Sequence, residues 1–228
     1  MTAAPFFRTI SCMNESPEPS EILSAPSKKK AWALFLLIAA SVAGLDLWSK
    51  AAVFDLLDVQ SMMRSTPGGG EKIFVVTQHT KSVVPGFFEL EANYNHGAFN
   101  GWFSEHTGLL ALLSSAALLV IASVLWYSLG RSPAPTLSFV IALGLLAGGT
   151  AGNFYDRFYL EAVRDWIKWY IAIDGKEHIW PNFNVADSGI CIGVALVVFP
   201  ELRGLFQKRK PAGDNKPPDP GTNPSSPR

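Results

Sequence analysis

Cysteine is scarce in this chain: two in 228 residues, Cys12 in a polar N-terminal stretch and Cys191 inside an apolar run. Thiols so far apart, in such different settings, exclude a disulfide framework and a thiolate zinc site. Histidine is sparse too, and His79, His96, His106 and His178 show no metal-ligand spacing, so neither a metal nor an organic cofactor is expected. Charge of one sign is not in excess, since 19 Lys and Arg balance 19 Asp and Glu. That balance removes any bulk electrostatic argument for nucleic acid as a partner. No internal repeat is present, and no serine or cysteine stands in company that would activate it as a nucleophile.

Apolar side chains are what the chain has in quantity: 48% of its residues, with a positive mean hydropathy. This composition suits a small multi-span membrane protein. Four apolar segments, about 31–47, 109–129, 136–152 and 186–202, have lengths near those that cross a bilayer. For the first, a cleavable signal peptide is the alternative, because Lys28-Lys29-Lys30 leads a short apolar core. Three further segments argue against it. The expected fold is mainly α and polytopic: a four-span membrane domain over 31–206, between disordered cytoplasmic tails at 1–30 and 207–228. Met1 and Met13 both stand as possible starts.

Orientation follows from the basic residues nearest the spans. Lys28–Lys30, Arg131, and Arg203, Lys208, Arg209 and Lys210 all fall on one side of a four-span chain, which places both termini in the cytoplasm. Lys50 is the exception. The connections 51–106 and 153–185 then face outward. In the first, 65–70 reads as a flexible loop. Residues 72–77 and 87–94 are expected to pair there as a small periplasmic β-element between spans one and two, lying on the membrane surface. Residues 163–170 read as a surface-hugging turn.

Ionisable groups beside a span are costly and so mark function. Here they gather near the outward span ends: Asp46 and Lys50; Asn95-His96-Gly97-Ala98; Asn153 through Arg157; Asp165; and Asn184 with Asp187. Each has a bland alternative: Asn184 or Asp187 as a helix cap, Asp165 as a solvated loop aspartate, Asp156-Arg157 as a structural ion pair. Two carboxylates in a half-dry site cannot both ionise cheaply, since at about 4 Å and an effective dielectric near 20 their repulsion is about 4 kcal/mol. One proton is then shared, leaving one base and one acid to set water on an amide carbonyl.

Three elements, Gly148-Gly149-x-x-Gly152-Asn153-x-x-Asp156-Arg157, then Val163-x-Asp165, then Phe183-Asn184-x-Ala186-Asp187, resemble those of the bacterial lipoprotein signal peptidases (signal peptidase II). The resemblance covers about 31–202. It implies a membrane aspartyl endopeptidase with Asp165 and Asp187 as the catalytic dyad. Asn95, Gly97, Ala98, Asn153, Arg157, Asn184 and Ala186 would bind substrate or support the dyad, while Asp46, Lys50 and Asp156 would hold the fold. The implied substrate is a diacylglyceryl-modified prolipoprotein, cut N-terminal to the lipidated cysteine by a monomer at the outer face of the bacterial inner membrane. Phe99 and Glu161 depart from the family's usual alanine and glycine, and the stretch 56–84 is longer than usual. The rival readings are a small transporter or proton relay, which would want charges through the membrane depth, and a scaffold indifferent to loss of either aspartate.

Overall fold

The computed structural model describes residues 26–65, 71–76, 80–97, 106–132 and 134–208. Four helices carry the chain: α1 (Lys28–Leu56), α2 (Thr107–Leu129), α3 (Leu137–Leu160) and α4 (Val185–Lys208). Three of them, α1, α2 and α3, are long and apolar enough to cross a membrane, while the apolar part of α4, Val185–Pro200, is shorter. Most of the tail residues expected to be disordered, and the loop at 66–70, lie outside the described residues. Helix α1 begins inside the expected tail, at Lys28, and α4 reaches Lys208.

Helices α1 and α3 each continue a little over two turns past the apolar runs that announce them, and the polar residues Lys50, Asn153 and Asp156 of these extensions bond to one another. Thr136 caps the start of α3, its hydroxyl accepting the Phe139 N–H at 3.3 Å. Gly144, Gly148 and Gly152 recur every four residues along α3 and bring it onto α1. A methyl group on Gly148 would sit 2.6 Å from the Ala39 carbonyl oxygen, and one on Gly152 would collide with the Asp46 carboxylate. Small residues at this spacing are how helices approach closely in a bilayer. Helix α2 closes the bundle through Leu125 and Leu129, which join Ala31, Phe35, Val140, Leu143 and Ala147 in one buried cluster. The opposite faces, with Leu37, Leu112, Leu119 and Trp126 exposed, suit lipid.

The strands correct two expectations. Among the described residues, 72–76 and 87–94 do not pair with each other. Strand β2 (Glu71–Val75) forms an antiparallel hairpin with β1 (Ser61–Ser65), and β4 (Phe88–Asn95) lies in a separate sheet ordered β3-β4-β5-β6. Strand β3 is Thr80–Val84 and β6 is Lys176–Ile179. Residues 163–170 are not a turn but most of strand β5 (Val163–Ile173), so the sheet draws on both long connections. Alternation hides in β5 because aromatic and aliphatic residues occupy both of its faces. Its register against β4 pairs Asn95 with Val163 and Asn93 with Asp165, and shifts at a bulge between Asn93 and Leu90.

Candidate active site

The polar residues singled out in the sequence converge at one end of the bundle, where α1 and α3 finish and α4 starts. Two groups of carboxylates meet there. The first surrounds Lys50, which is wholly buried. Asp46 and Lys50 share a face of α1 at i,i+4 spacing, and the Lys50 ammonium pairs with Asp46 Oδ2 at 2.6 Å and Asp156 Oδ2 at 3.1 Å. Its third donor goes to Asn153 Oδ1 at 3.0 Å. Asp156 also takes the Arg164 guanidinium at 2.7 Å and the Arg164 N–H at 3.0 Å. The ion pair expected between Asp156 and its neighbour Arg157 is therefore replaced by pairs to Lys50 and Arg164. A helix turns successive residues 100° apart, so Arg157 faces elsewhere.

The second group has no cation in direct contact among the described residues. Asp165, only 1% exposed, accepts from Asn95 Nδ2 at 3.0 Å and from Asn184 Nδ2 at 2.7 Å. Asp187, half-buried, accepts from Asn153 Nδ2 at 2.7 Å and from the Asn184 backbone N–H at 3.1 Å. Asn184 Oδ1 takes the Asp187 N–H in return, at 2.9 Å. This is a capping box at the first turn of α4. The cap alternative raised for Asn184 and Asp187 is thus correct, and it coexists with the pairing of the two carboxylates through Asn184. Asp165 is no solvated loop residue. Burial first, and then the neighbouring Asp187 carboxylate, push its carboxyl up to about 7, against the opposing pull of the Asn95 and Asn184 hydrogen bonds and of Lys50.

Asn153 joins the two groups, its oxygen on Lys50 and Asn184 and its amide N–H on Asp187. Asp46 contributes from below by accepting the Ala186 N–H at 2.9 Å, another first-turn donor of α4. At the rim, Asn95 Oδ1 accepts the Gly97 N–H at 3.0 Å, and Arg157 Nη2 donates to the Gly97 carbonyl at 3.3 Å. The Arg157 Nε is buried with no hydrogen-bond partner among the described residues. Every expected site residue is brought into this assembly except Ala98, which, with Phe99, lies outside the described residues. Arg164 was missed. Its signal was the alternation of a strand, which turns Arg164 and Asp165 to opposite faces and so toward different carboxylates. Among the described residues no cluster of His, Cys, Asp and Glu is arranged to hold a metal ion.

A family model described as signal peptidase (SPase) II matches residues 38–203. The chain is 32% identical over 201 residues to a lipoprotein signal peptidase of Xanthomonas campestris pv. campestris, covering 87% of this chain and 97% of that one. A lipoprotein signal peptidase of Sulfurihydrogenibium sp. is 38% identical over 130 residues, or 56% of this chain and 76% of the relative. One of Rhodopirellula baltica is 31% identical over 195 residues, or 80% and 78%. Among solved structures, a bacterial membrane enzyme determined in meso at 2.3 Å superposes with a TM-score of 0.56 at 24% identity, over 77% of this chain and 92% of that chain.

Proposed function

The chain belongs to the signal peptidase II family, an aspartic peptidase that removes signal peptides from prolipoproteins, and on that premise we propose that Asp165 and Asp187 are its catalytic dyad. One observation carries the assignment. Of the four aspartates at the site, these two are joined through a single neutral residue, Asn184, and, among the described residues, are held by amides rather than by cations. Neutral donors orient a carboxylate without pinning it in the ionised state, so the pair is free to keep one proton between them.

The chemistry then runs as follows. The ionised carboxylate removes a proton from a water, whose oxygen attacks the scissile carbonyl carbon. The protonated partner delivers its proton to the carbonyl oxygen. Collapse of the tetrahedral diol returns that proton to the dyad, while the other carboxyl protonates the departing amine nitrogen. Asn153 and Asn184 hold the carboxyl planes, and Arg157, whose buried Nε–H has no partner among the described residues, offers a donor to a substrate carbonyl.

The membrane arrangement follows from rise per residue. At 1.5 Å each, Lys28 to Asp46 is about 27 Å and Asp187 to Arg203 about 24 Å, each close to a hydrocarbon thickness. Four spans therefore put the basic residues at one interface and the dyad at the other, outer one, with both termini in the cytoplasm. A signal helix lies among the spans. The lipidated cysteine stays anchored in the bilayer, and the bond on its N-terminal side reaches the dyad. All the groups named come from one chain, so a monomer suffices. The transporter or relay reading is not favoured, because the polar groups gather at one end and α2 is free of charge.

The test is cleavage by the purified protein, in detergent, of a prolipoprotein whose cysteine carries diacylglycerol. The modified precursor is expected to be cut N-terminal to that cysteine and the unmodified one to be left intact. Equal cutting of both would remove the lipid from the recognition, and cutting by both single Asp→Asn variants would remove the dyad.

A further inference from the structure

The hairpin β1–β2 takes no part in the function derived so far, yet it reaches the site. Hairpins of two strands are marginal by themselves, and every residue of β1 is exposed. Strand β2 supplies the anchorage. Its Ile73 carbonyl faces His96 Nε2 at 2.8 Å, and the Phe74 ring lies against the imidazole with 5.3 Å between centroids. Nδ1 of the same ring sits 3.4 Å from the Glu161 carbonyl, at the corner between α3 and β5. Because a carbonyl oxygen only accepts, the short contact specifies a proton on Nε2.

His96 is the middle residue of the turn that presents Asn95 to Asp165. On one side of it, Asn95 Oδ1 is held by the Gly97 N–H and Asn95 Nδ2 donates to Asp165 Oδ2. On the other, the Gly97 carbonyl is held by Arg157. The plane of the Asn95 amide is therefore set by the turn, and the turn is pinned by its imidazole. We propose that His96 is a positioning residue, gripped by the β1–β2 hairpin as by a strap, which keeps the Asn95 amide on Asp165. The inference rests on the dyad reading above.

Releasing the imidazole loosens a donor that favours the ionised form of Asp165. Turnover falls, by about tenfold to a hundredfold for a displacement on the order of 1 Å. The pH at which activity is lost on the alkaline side moves upward. KM is left nearly unchanged.

The experiment measures kcat, KM and the pH profile of the full-length protein in detergent on a diacylglyceryl-modified prolipoprotein. His96→Phe keeps a ring against Phe74 but has no N–H. It is expected to lower kcat and shift the alkaline limb upward, and His96→Gln, which can donate to Ile73, to restore both in large part. Replacing residues 61–75 by a short Gly-Ser linker should reproduce His96→Phe, and the two changes together should be no worse than either. Wild-type kcat and pH limb in His96→Phe would overturn the proposal, as would multiplying effects, or a rise in KM alone, which would make the hairpin a substrate contact. Should the linker variant fail to fold, His96→Phe against His96→Gln decides. Asp165→Asn separates the two readings: if it still cleaves, the dyad is wrong, and if it is inactive while His96→Phe is normal, only the strap is.

Discussion

Asp46 and Asp156 lie close to Asp187 and Asp165 in space, are linked to them through Lys50 and Asn153, and are just as buried or more so, yet their surroundings differ in kind. The first two are paired to Lys50 at 2.6 and 3.1 Å, and Asp156 to Arg164 as well. Among the described residues, the second two receive amide N–H groups alone. A cation within contact distance meets a carboxylate with a fixed charge, whereas an amide orients it without one. On the proposed reading, the four aspartates divide between scaffold and chemistry by the charge of what touches them.

The largest effect that sharpens this contrast comes from Asp165→Asn and Asp187→Asn. Each is expected to lower kcat by on the order of 10⁴, and the double variant to be little worse, as for groups acting as a unit. The protein should remain folded and still bind lipidated precursor. If Asp165→Asn cleaves normally while a well-folded Asp156→Asn does not, the two groups have been assigned the wrong way round. Next comes Lys50→Met, which leaves Asp46 and Asp156 buried without their shared cation and should cost about 3–5 kcal/mol. It should show as lost yield and a lower unfolding temperature in detergent, and Asp46→Asn or Asp156→Asn should follow the same pattern more mildly. Normal stability with lost turnover would break the contrast.

A smaller effect is expected with pH. Asp165, raised to about 7, holds its proton in the folded protein where an unfolded aspartic acid, near 3.9, has released it. Activity should decline as pH rises through about 7 and both carboxyls ionise. Since the folded state binds the extra proton, stability should fall as pH rises between about 4 and 7. A rate profile flat from pH 6 to 9 contradicts this. The smallest is Glu161→Gly. Glu161 ends α3 with φ of 55°, in the left-handed region that disfavours a side chain by about 1–2 kcal/mol. Glycine there should raise stability by about 1 kcal/mol without changing turnover, read by thermal unfolding and kinetics side by side.

The membrane helices were legible because apolar length is a strong signal, and the proposed dyad could be named because its residues sit in motifs that resemble one family's. Helix ends were less so. Hydropathy stops near Leu47 and Gly152, but helical hydrogen bonding continues to Leu56 and Leu160, and the site occupies that polar extension. Strand partners were not legible. Residues 72–77 and 87–94 look alike in composition, and composition carries no register, so the actual partners of β4, namely β3 and β5, could not be picked out. Arg164 was overlooked for a related reason: with β5 taken as a turn, nothing assigned opposite directions to Arg164 and Asp165. The usual glycine at Glu161 had a readable cause, a left-handed helix terminus, but only the backbone angle reveals it.

The first turn of α4 has a consequence for how such a protease is made safely. Asp187 acquires its place only when Asn184 closes the cap, Asn153 arrives on α3 and the Asp46 carboxylate of α1 takes the Ala186 N–H. On the proposed reading, a newly inserted chain whose fourth helix has not docked has two distant aspartates and no peptidase. Completion of the fold and onset of cutting are one event on the proposed reading, so no removable inhibitory segment is required to keep a half-assembled molecule from attacking its neighbours.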